Sequence, residues 1–209
     1  MRTTLILAFL FCIVASCATT TGPVYIAKTE GEAVRTSYED PALSRLSTRY
    51  QAALKEIYHR YETAGIDVYP GGIGFTSLAD QEGKKHYYLL VEVRPRNIAF
   101  GEAETKSRQR FNEVFEHHFQ KNLLHLRPQD LPMEGVDGVA FAVYWIVRDL
   151  SKCDQYGGFL EYMLVYFPTA DFIDLAEGNA TLLQTVAHAE VLTSLDRKPP
   201  ESVRVTTEK

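Results

Sequence analysis

The sequence predicts a single α+β domain in which a mainly antiparallel sheet carries two long amphipathic helices. Apolar residues recur every three or four positions over residues 40–64 and 102–126, which is the period of a helix with one buried face. Two pairs of alternating or wholly apolar runs, each pair separated by turn-forming residues, predict β-hairpins. The order helix, hairpin, helix, hairpin and a short closing segment favours helices packed on one face of a sheet.

The first predicted helix begins at Asp40, a good capping residue, with Pro41 at the first helical position, where its missing N–H is harmless. Gly65 ends the helix. The apolar or small positions follow steps of three and four: Leu43, Leu46, Tyr50, Ala53, Ile57, Tyr61 and Ala64. This spacing also suits a coiled coil, but the stretch is shorter than four heptads, so we expect it to pack on its own domain.

The apolar period changes after Gly65. Residues 66–78 predict an extended chain with a turn or bulge at Pro70 to Gly72, and residues 86–94 predict the partner strand of a hairpin. The glycine run at residues 71–74 invites comparison with a phosphate-binding loop. Such a loop needs Lys followed by Ser or Thr and then a helix, and this sequence has neither, so the glycines predict a turn.

The second helix is predicted from about Glu102 to Leu126, where Arg127-Pro128 ends it. Its apolar stripe consists of Phe111, Val114, Phe115, Phe119, Leu123 and Leu126. Residues 139–147 and 159–167 then predict a second hairpin. Its first strand is apolar on both faces, which is typical of a central strand covered on both sides.

The end of the chain is patterned less strongly. Residues 170–177 predict a short helix, and residues 181–191 fit either a helix or a strand. Residues 192–195 and 202–206 predict a closing hairpin around a turn that contains Asp196 and two prolines.

The first 17 residues decide the compartment of the chain. Arg2 precedes an apolar block of eleven residues, Leu5 to Ala15. This length fits a signal sequence, which has roughly 7–15 apolar residues, and falls short of the roughly 20 that a membrane-spanning helix needs. Val14-Ala15-Ser16-Cys17 resembles the lipobox of bacterial lipoproteins. The resemblance covers only residues 1 to about 18.

Membership of the lipoprotein class would imply that Cys17 receives a diacylglyceryl thioether, that cleavage follows Ser16, and that the freed amino group is acylated. Several fatty chains, at about 0.8 kcal/mol per buried CH₂, anchor a protein to a membrane stably. Ala18 stands where an Asp would retain a lipoprotein at the inner membrane, so the implied location is the periplasmic face of the outer membrane. The alternatives are the cell surface, or a soluble secreted protein cut after Ala18.

These features divide the chain into three parts: a cleaved signal peptide at residues 1–16, a lipidated Cys17 with a flexible tether through residue 39, and one α+β domain at residues 40–209. Within the tether, residues 24–26 also fit a short edge strand. Cys12 leaves with the signal peptide and Cys17 carries lipid, so Cys153 has no partner for an intramolecular disulfide. We expect Cys153 to be a buried apolar residue, or else an exposed thiol able to link two chains.

The composition and motifs narrow the function classes. The mature chain has 21 Lys and Arg against 27 Asp and Glu, a formal charge of −6, and nucleic acids bind basic faces, so no nucleic-acid partner is expected. Glu113, His117 and Lys121 share a helical face without the His-Glu-x-x-His spacing of a zinc protease, and we expect a solvated face. The sequence therefore assigns no catalytic, cofactor-binding or metal-binding residue, and predicts no cofactor.

The expected function is that of a lipid-anchored, periplasm-facing envelope lipoprotein that binds a protein partner or scaffolds an assembly. Tyrosines on or beside the predicted strands are the candidate binding surface: Tyr87, Tyr88, Tyr144, Tyr156, Tyr162 and Tyr166. One alternative is a carrier of a small apolar ligand held between the helices and the sheet. Another is a hydrolase whose His, Asp and Glu side chains are brought together by folding.

Overall fold

The computed structural model describes residues 26–131, 133–148 and 158–205, which form one α+β domain built on a seven-stranded, mainly antiparallel sheet. The predicted fold class is confirmed. The lipobox, Cys17, Cys153 and the turn of the second hairpin lie outside the described residues. None of the helices in these ranges is long and apolar enough to cross a bilayer.

The sheet joins the two predicted hairpins side by side. Its strands are β1 (Asp67–Ala79), β2 (Lys85–Arg94), β3 (Ala99–Gly101), β4 (Gly138–Arg148), β5 (Gly158–Pro168), β6 (Glu190–Ser194) and β7 (Glu201–Ser202). The order is β1-β2-β4-β5-β6-β7, and the short β3 also pairs with β4. Both hairpins are antiparallel, whereas β2 and β4 run parallel. A parallel pair needs a long crossover, which residues 95–137 supply.

The helices follow the predicted order with shifted ends. They are α1 (Glu30–Ala33), α2 (Pro41–Arg49), α3 (Gln51–Thr63), α4 (Ser107–Val114), α5 (Gln120–Leu123), α6 (Thr169–Ala176) and α7 (Leu182–Val186). The first predicted helix divides at Tyr50, where φ is −108° and ψ is 18°. The second starts later than predicted and contains a π-helical turn, Phe115–Phe119, between α4 and α5. Residues 181–191 contain both a helix, α7, and the start of β6.

The main core lies between the helices and one face of the sheet. Phe141 on β4 is fully buried and packs against both long helical segments. Its ring is 5.3 Å from the ring of Phe119 in the π-helical turn and 6.4 Å from the ring of Tyr61 on α3. The Tyr61 hydroxyl also donates a hydrogen bond to the carbonyl oxygen of Asn122 at 3.1 Å. This crossing of α3, α5 and β4 fixes the helical layer on the sheet.

The stretch before the first long helix differs from the flexible tether predicted for residues 17–39. Ala33 in α1 is fully buried, and the Arg35 N–H donates to the Ile73 carbonyl oxygen at 2.7 Å. From residue 26 onward, the chain therefore lies against the edge of β1, an arrangement that protects an exposed strand edge. The sequence did not reveal this because α1 is a single helical turn. Residues 17–25 lie outside the described part.

The glycine run forms a bulge, which confirms the predicted turn or bulge. The pairing of β1 with β2 shifts register between Val68 and Ile73. A Cβ on Gly74 would collide with the Tyr38 hydroxyl, which accepts a hydrogen bond from the Phe75 N–H at 2.9 Å. The glycine thus allows the segment after α1 to contact the strand directly.

Candidate binding sites

On the sheet face turned away from the main core, side chains of neighbouring strands pack against one another. We call this surface the tyrosine face. It consists of Leu78, Tyr88, Leu90, Ala140, Leu164, Tyr166 and Leu192, with Tyr69, Glu92, Tyr144 and Tyr162 beside them. All of these residues belong to strands. Because strand side chains alternate between faces, the same strands that build the core also build this second surface.

Tyrosine rings contact one another in pairs across the strands of this face. The rings of Tyr88 and Tyr166 are 5.0 Å apart, those of Tyr144 and Tyr162 are 5.1 Å apart, and those of Tyr69 and Tyr144 are 4.5 Å apart. Such cross-strand aromatic contacts stabilise a sheet and hold the rings in fixed positions. The face is therefore a rigid aromatic surface.

Four of the six tyrosines that the sequence singles out lie on the tyrosine face: Tyr88, Tyr144, Tyr162 and Tyr166. Tyr87 points the other way and packs against the main core, as the alternation of β2 requires. Tyr156 lies outside the described residues. Tyr69 also belongs to the tyrosine face. The sequence does not indicate this, because the bulge in β1 interrupts the strand alternation that would assign Tyr69 to one face of the sheet.

Glu92 is the carboxylate of the tyrosine face. Its Oε1 accepts a hydrogen bond from the Tyr144 hydroxyl at 2.8 Å, and its Oε2 lies 3.4 Å from a guanidinium nitrogen of Arg35. Only 18% of the side chain is exposed. Burial raises the pKa of Glu92 above its ordinary value, although the Tyr144 hydrogen bond and the Arg35 charge act in the opposite direction. Because Arg35 offsets this carboxylate, the centre of the face is close to neutral.

Replacing Glu92 by glutamine should raise the melting temperature at about pH 7 and have little effect below about pH 4. The folded-state pKa of Glu92 is raised, so the folded chain binds its proton more tightly than the unfolded chain. The contribution of Glu92 to stability therefore falls as the pH rises from the unfolded pKa through the folded one. Glutamine has no such proton to lose, and its carbonyl oxygen can still accept the Tyr144 hydrogen bond.

Thermal unfolding followed by circular dichroism across this pH range measures the difference between the two proteins. Glu113→Gln, on the exposed surface of α4, is the matched control and should show no comparable pH-dependent difference. A Glu92→Gln variant that is less stable than the parent at neutral pH would show that the Arg35 ion pair outweighs the cost of burial.

A groove lies between α4 with the π-helical turn on one side and β6 with the chain after β7 on the other. Its cavity volume is about 610 Å³. Six apolar side chains line it: Phe111, Phe115, Leu183, Leu195, Val203 and Val205. The rings of Phe111 and Phe115 stack with their centroids 6.1 Å apart and their planes within 5°. The groove thus presents these six apolar side chains among polar ones, and its size is typical of small-molecule sites.

The polar residues of the groove differ in burial. Ser107 and Thr193 lie within it; Thr193 is fully buried, and its hydroxyl has no hydrogen-bond partner among the described residues. The charged residues of its lining are exposed and balanced in sign: Arg108, Glu116, Glu201 and Arg204. The groove therefore has no overall charge preference.

Beside the groove, Arg110 and Glu161 form a buried ion pair. Both are almost fully buried, and two guanidinium nitrogens of Arg110 lie 2.8 and 2.6 Å from the two carboxylate oxygens of Glu161. Glu161 also accepts hydrogen bonds from the Trp145 indole N–H at 2.8 Å and from the Asp196 N–H at 2.9 Å. Arg110 additionally donates to the Thr105 carbonyl oxygen and to the Asp196 carboxylate. Each charge is thus paired and hydrogen-bonded.

This network holds a strained turn next to the groove. Asp196 and Arg197 have φ values of 51° and 61°, in the left-handed region that most side chains avoid. The Glu161 carboxylate accepts a hydrogen bond from the Asp196 N–H and so holds Asp196 in place, and the Arg197 guanidinium lies over the Phe159 ring at 4.4 Å. Sequence reasoning missed the network. Its available signal was Glu161, an acidic residue in the middle of an apolar strand, where a buried charge needs a partner.

Three of the histidines, His59, His86 and His117, lie beside acidic side chains at three separate positions. His117 is 3.8 Å from Glu113, and both side chains are at least half exposed, as predicted for the solvated face of this helix. His86 lies 3.3 Å from Asp80 at the turn of the first hairpin, and His59 lies 3.0 Å from Glu30. Among the described residues, no three His, Cys, Asp or Glu side chains are grouped to hold a metal ion.

Comparison of the chain with protein-family models, with curated proteins and with solved structures finds no match.

Proposed function

We propose that this chain is a lipid-anchored, periplasm-facing protein of the outer membrane whose tyrosine face binds a protein partner in the cell envelope. The observation that supports the proposal most is the tyrosine face itself. Its apolar and hydroxyl-bearing side chains are buried or half-buried on the sheet face opposite the main core, and tyrosine is among the residues that contribute most to binding energy at protein interfaces. Rigid aromatic rings lose little conformational entropy when a partner covers them.

The chemistry of the face also defines the partner. Its carboxylate, Glu92, is already offset by Arg35 at 3.4 Å, so a charged partner would gain little there. Burial raises the pKa of Tyr88 and of Tyr162, so both hydroxyls stay protonated at neutral pH and can donate hydrogen bonds. The partner we expect is an uncharged apolar protein surface that offers hydrogen-bond acceptors to these hydroxyls.

The proposed location at the outer membrane is based on the resemblance of Val14 to Cys17 to a lipobox. Acyl chains on Cys17 would hold the chain on the membrane, and Ala18 favours the outer membrane. A membrane-bound domain meets envelope partners at high effective concentration, so even a modest tyrosine face could sustain a stable complex.

Photo-crosslinking in the native host tests the partner proposal. A photoreactive amino acid at Tyr162 should give one discrete crosslinked species, and the same amino acid at Gln51, exposed on α3, should give none. Mass spectrometry of the crosslinked species would then identify the partner. Tyr88→Ser in the background of the Tyr162 probe should reduce the yield about tenfold, since removing an interface tyrosine commonly costs more than 1 kcal/mol.

The partner proposal fails if the Tyr162 and Gln51 probes give the same crosslinked species. It also fails if the protein is purified from detergent extracts without a stoichiometric partner. Circular dichroism of each variant separates lost binding from lost folding. A crosslinked species from the Tyr162 probe with the mass of two copies of this chain would show self-association instead of binding to an envelope partner.

A further inference from the structure

We propose that the groove between α4 and β6 binds an uncharged, mainly apolar molecule with one hydrogen-bonding group, which the Thr193 hydroxyl meets. This site lies on the helical side of the sheet, and the tyrosine face lies on the opposite side. The proposal is therefore independent of the protein partner.

The size and lining of the groove select an apolar ligand. Its volume of about 610 Å³ lies within the roughly 300–1,000 Å³ of small-molecule sites. The stacked rings of Phe111 and Phe115 form one wall, and Val203 and Val205 belong to the opposite wall. Covering such side chains with apolar ligand atoms removes their surface from water, which is favourable in proportion to the area covered.

Thr193 selects a ligand that carries one polar group. Its backbone is paired on both sides, with Met163 on β5 and Glu201 on β7, but its buried Oγ1 has no partner among the described residues. A buried hydroxyl without a partner is costly, and most buried polar groups in proteins are satisfied. Oγ1 has almost no accessible surface, so a ligand hydroxyl or carbonyl would supply the missing hydrogen bond once the side chains that cover this atom move aside.

The charges around the groove select an uncharged ligand. Glu116 and Glu201 offset Arg204 and Arg108, and the four are exposed rather than directed at a buried ionic site. Exposed charges of both signs give neither an anion nor a cation a strong preference. A long-chain alcohol has the required chemistry, whereas the corresponding carboxylate and alkane each lack one of its features.

Photolabelling of the full-length protein in lipid nanodiscs tests this site. The probe is a long-chain alcohol that carries a diazirine. We expect saturable labelling of peptides that contain Phe111, Phe115 or Val203, competed by unlabelled alcohol more effectively than by the alkane or the carboxylate.

Two substitutions at one position provide the matched comparison. Thr193→Val keeps the shape of the side chain and removes the hydroxyl, so the affinity for the alcohol should fall about three- to tenfold, while Thr193→Ser should retain it. The melting temperature of Thr193→Val should not fall, because the substitution removes an unsatisfied buried group. A purely structural role for the hydroxyl would lower stability instead.

Three outcomes would overturn the proposal. One is labelling spread over the chain without saturation. Another is equal affinity of the parent and Thr193→Val. The last is groove labelling that appears only when residues 206–209 are removed, which would make the end of the chain the natural occupant of the groove.

Discussion

Replacing Arg110 by methionine should lower the free energy of unfolding by about 3–5 kcal/mol, the usual cost of removing one partner from a buried ion pair. Methionine preserves much of the side-chain volume but leaves the Glu161 carboxylate, which is fully buried, without its cation. The hydrogen bonds from Trp145 and Asp196 to that carboxylate would then have to hold a buried negative charge alone. The Thr105 carbonyl oxygen would also lose its donor.

Urea unfolding measures this effect, and the chain offers a specific probe for it. Its single tryptophan is Trp145, which belongs to the network. The unfolding midpoint from tryptophan fluorescence can therefore be compared with the midpoint from circular dichroism. Arg96→Met is the matched control. Arg96 pairs with Asp67 at 2.8 Å but is itself 69% exposed, and the buried Asp67 keeps Arg94 as a second partner at 3.0 Å, so the loss should be no more than roughly 0–1 kcal/mol. An Arg110→Met variant that loses no more than this control would contradict a stabilising role for the buried pair.

Replacing Cys17 by serine should abolish lipidation of the chain completely, because serine cannot form the thioether that carries the diacylglyceryl group. Metabolic labelling with a tagged palmitate measures this directly. The parent should incorporate the label and should begin at an acylated Cys17, as intact-mass analysis of its first peptide would show. The anchor lost in this way comprises several fatty chains at about 0.8 kcal/mol per buried CH₂, so membrane attachment through lipid should disappear with it.

Cys12→Ser is the matched control for this experiment. Cys12 lies in the apolar block of the predicted signal sequence, and its replacement should leave labelling unchanged. Label that persists in Cys17→Ser, or a parent protein that retains Met1 and carries no lipid, would contradict the lipobox interpretation. The tyrosine face and the groove would remain proposed binding surfaces, but their partners would have to be sought in another compartment.

The periodic parts of the sequence were sufficient to predict the fold class. The stripe from Phe111 to Phe119 predicted a helix, and the alternation of residues 86–94 predicted a strand with one face in the core. The turn at Pro70 to Gly72 was also readable, because proline fixes its own φ and glycine tolerates the positive φ that many turns require, as at Gly71, where φ is 64°. Asp40 caps α2 as predicted, with its Oδ1 accepting from the Ala42 N–H at 2.8 Å.

The features that sequence reasoning missed depend on contacts between distant residues. Arg110 and Glu161 meet only because folding brings α4 next to β5. The sequence around either residue does not indicate its partner. The sequence predicts a tether for the segment after α1, because the bonds that anchor it, such as Arg35 N–H to the Ile73 carbonyl oxygen and Phe75 N–H to the Tyr38 hydroxyl, join residues far apart in the chain. The tyrosine face was partly predictable, since Tyr88 and Tyr162 lie on predicted strands, but the groove required the positions of β6 and β7.

The parallel pairing of β2 with β4 has a consequence for the order in which the chain folds. Each antiparallel hairpin can form from neighbouring residues, a process that takes on the order of 1–10 μs in isolated hairpins. The two hairpins become one sheet only when the crossover between them closes, and non-local pairing of this kind slows folding. Amide hydrogens of β2 that face β4 should therefore gain protection late during refolding, after those shared within each hairpin.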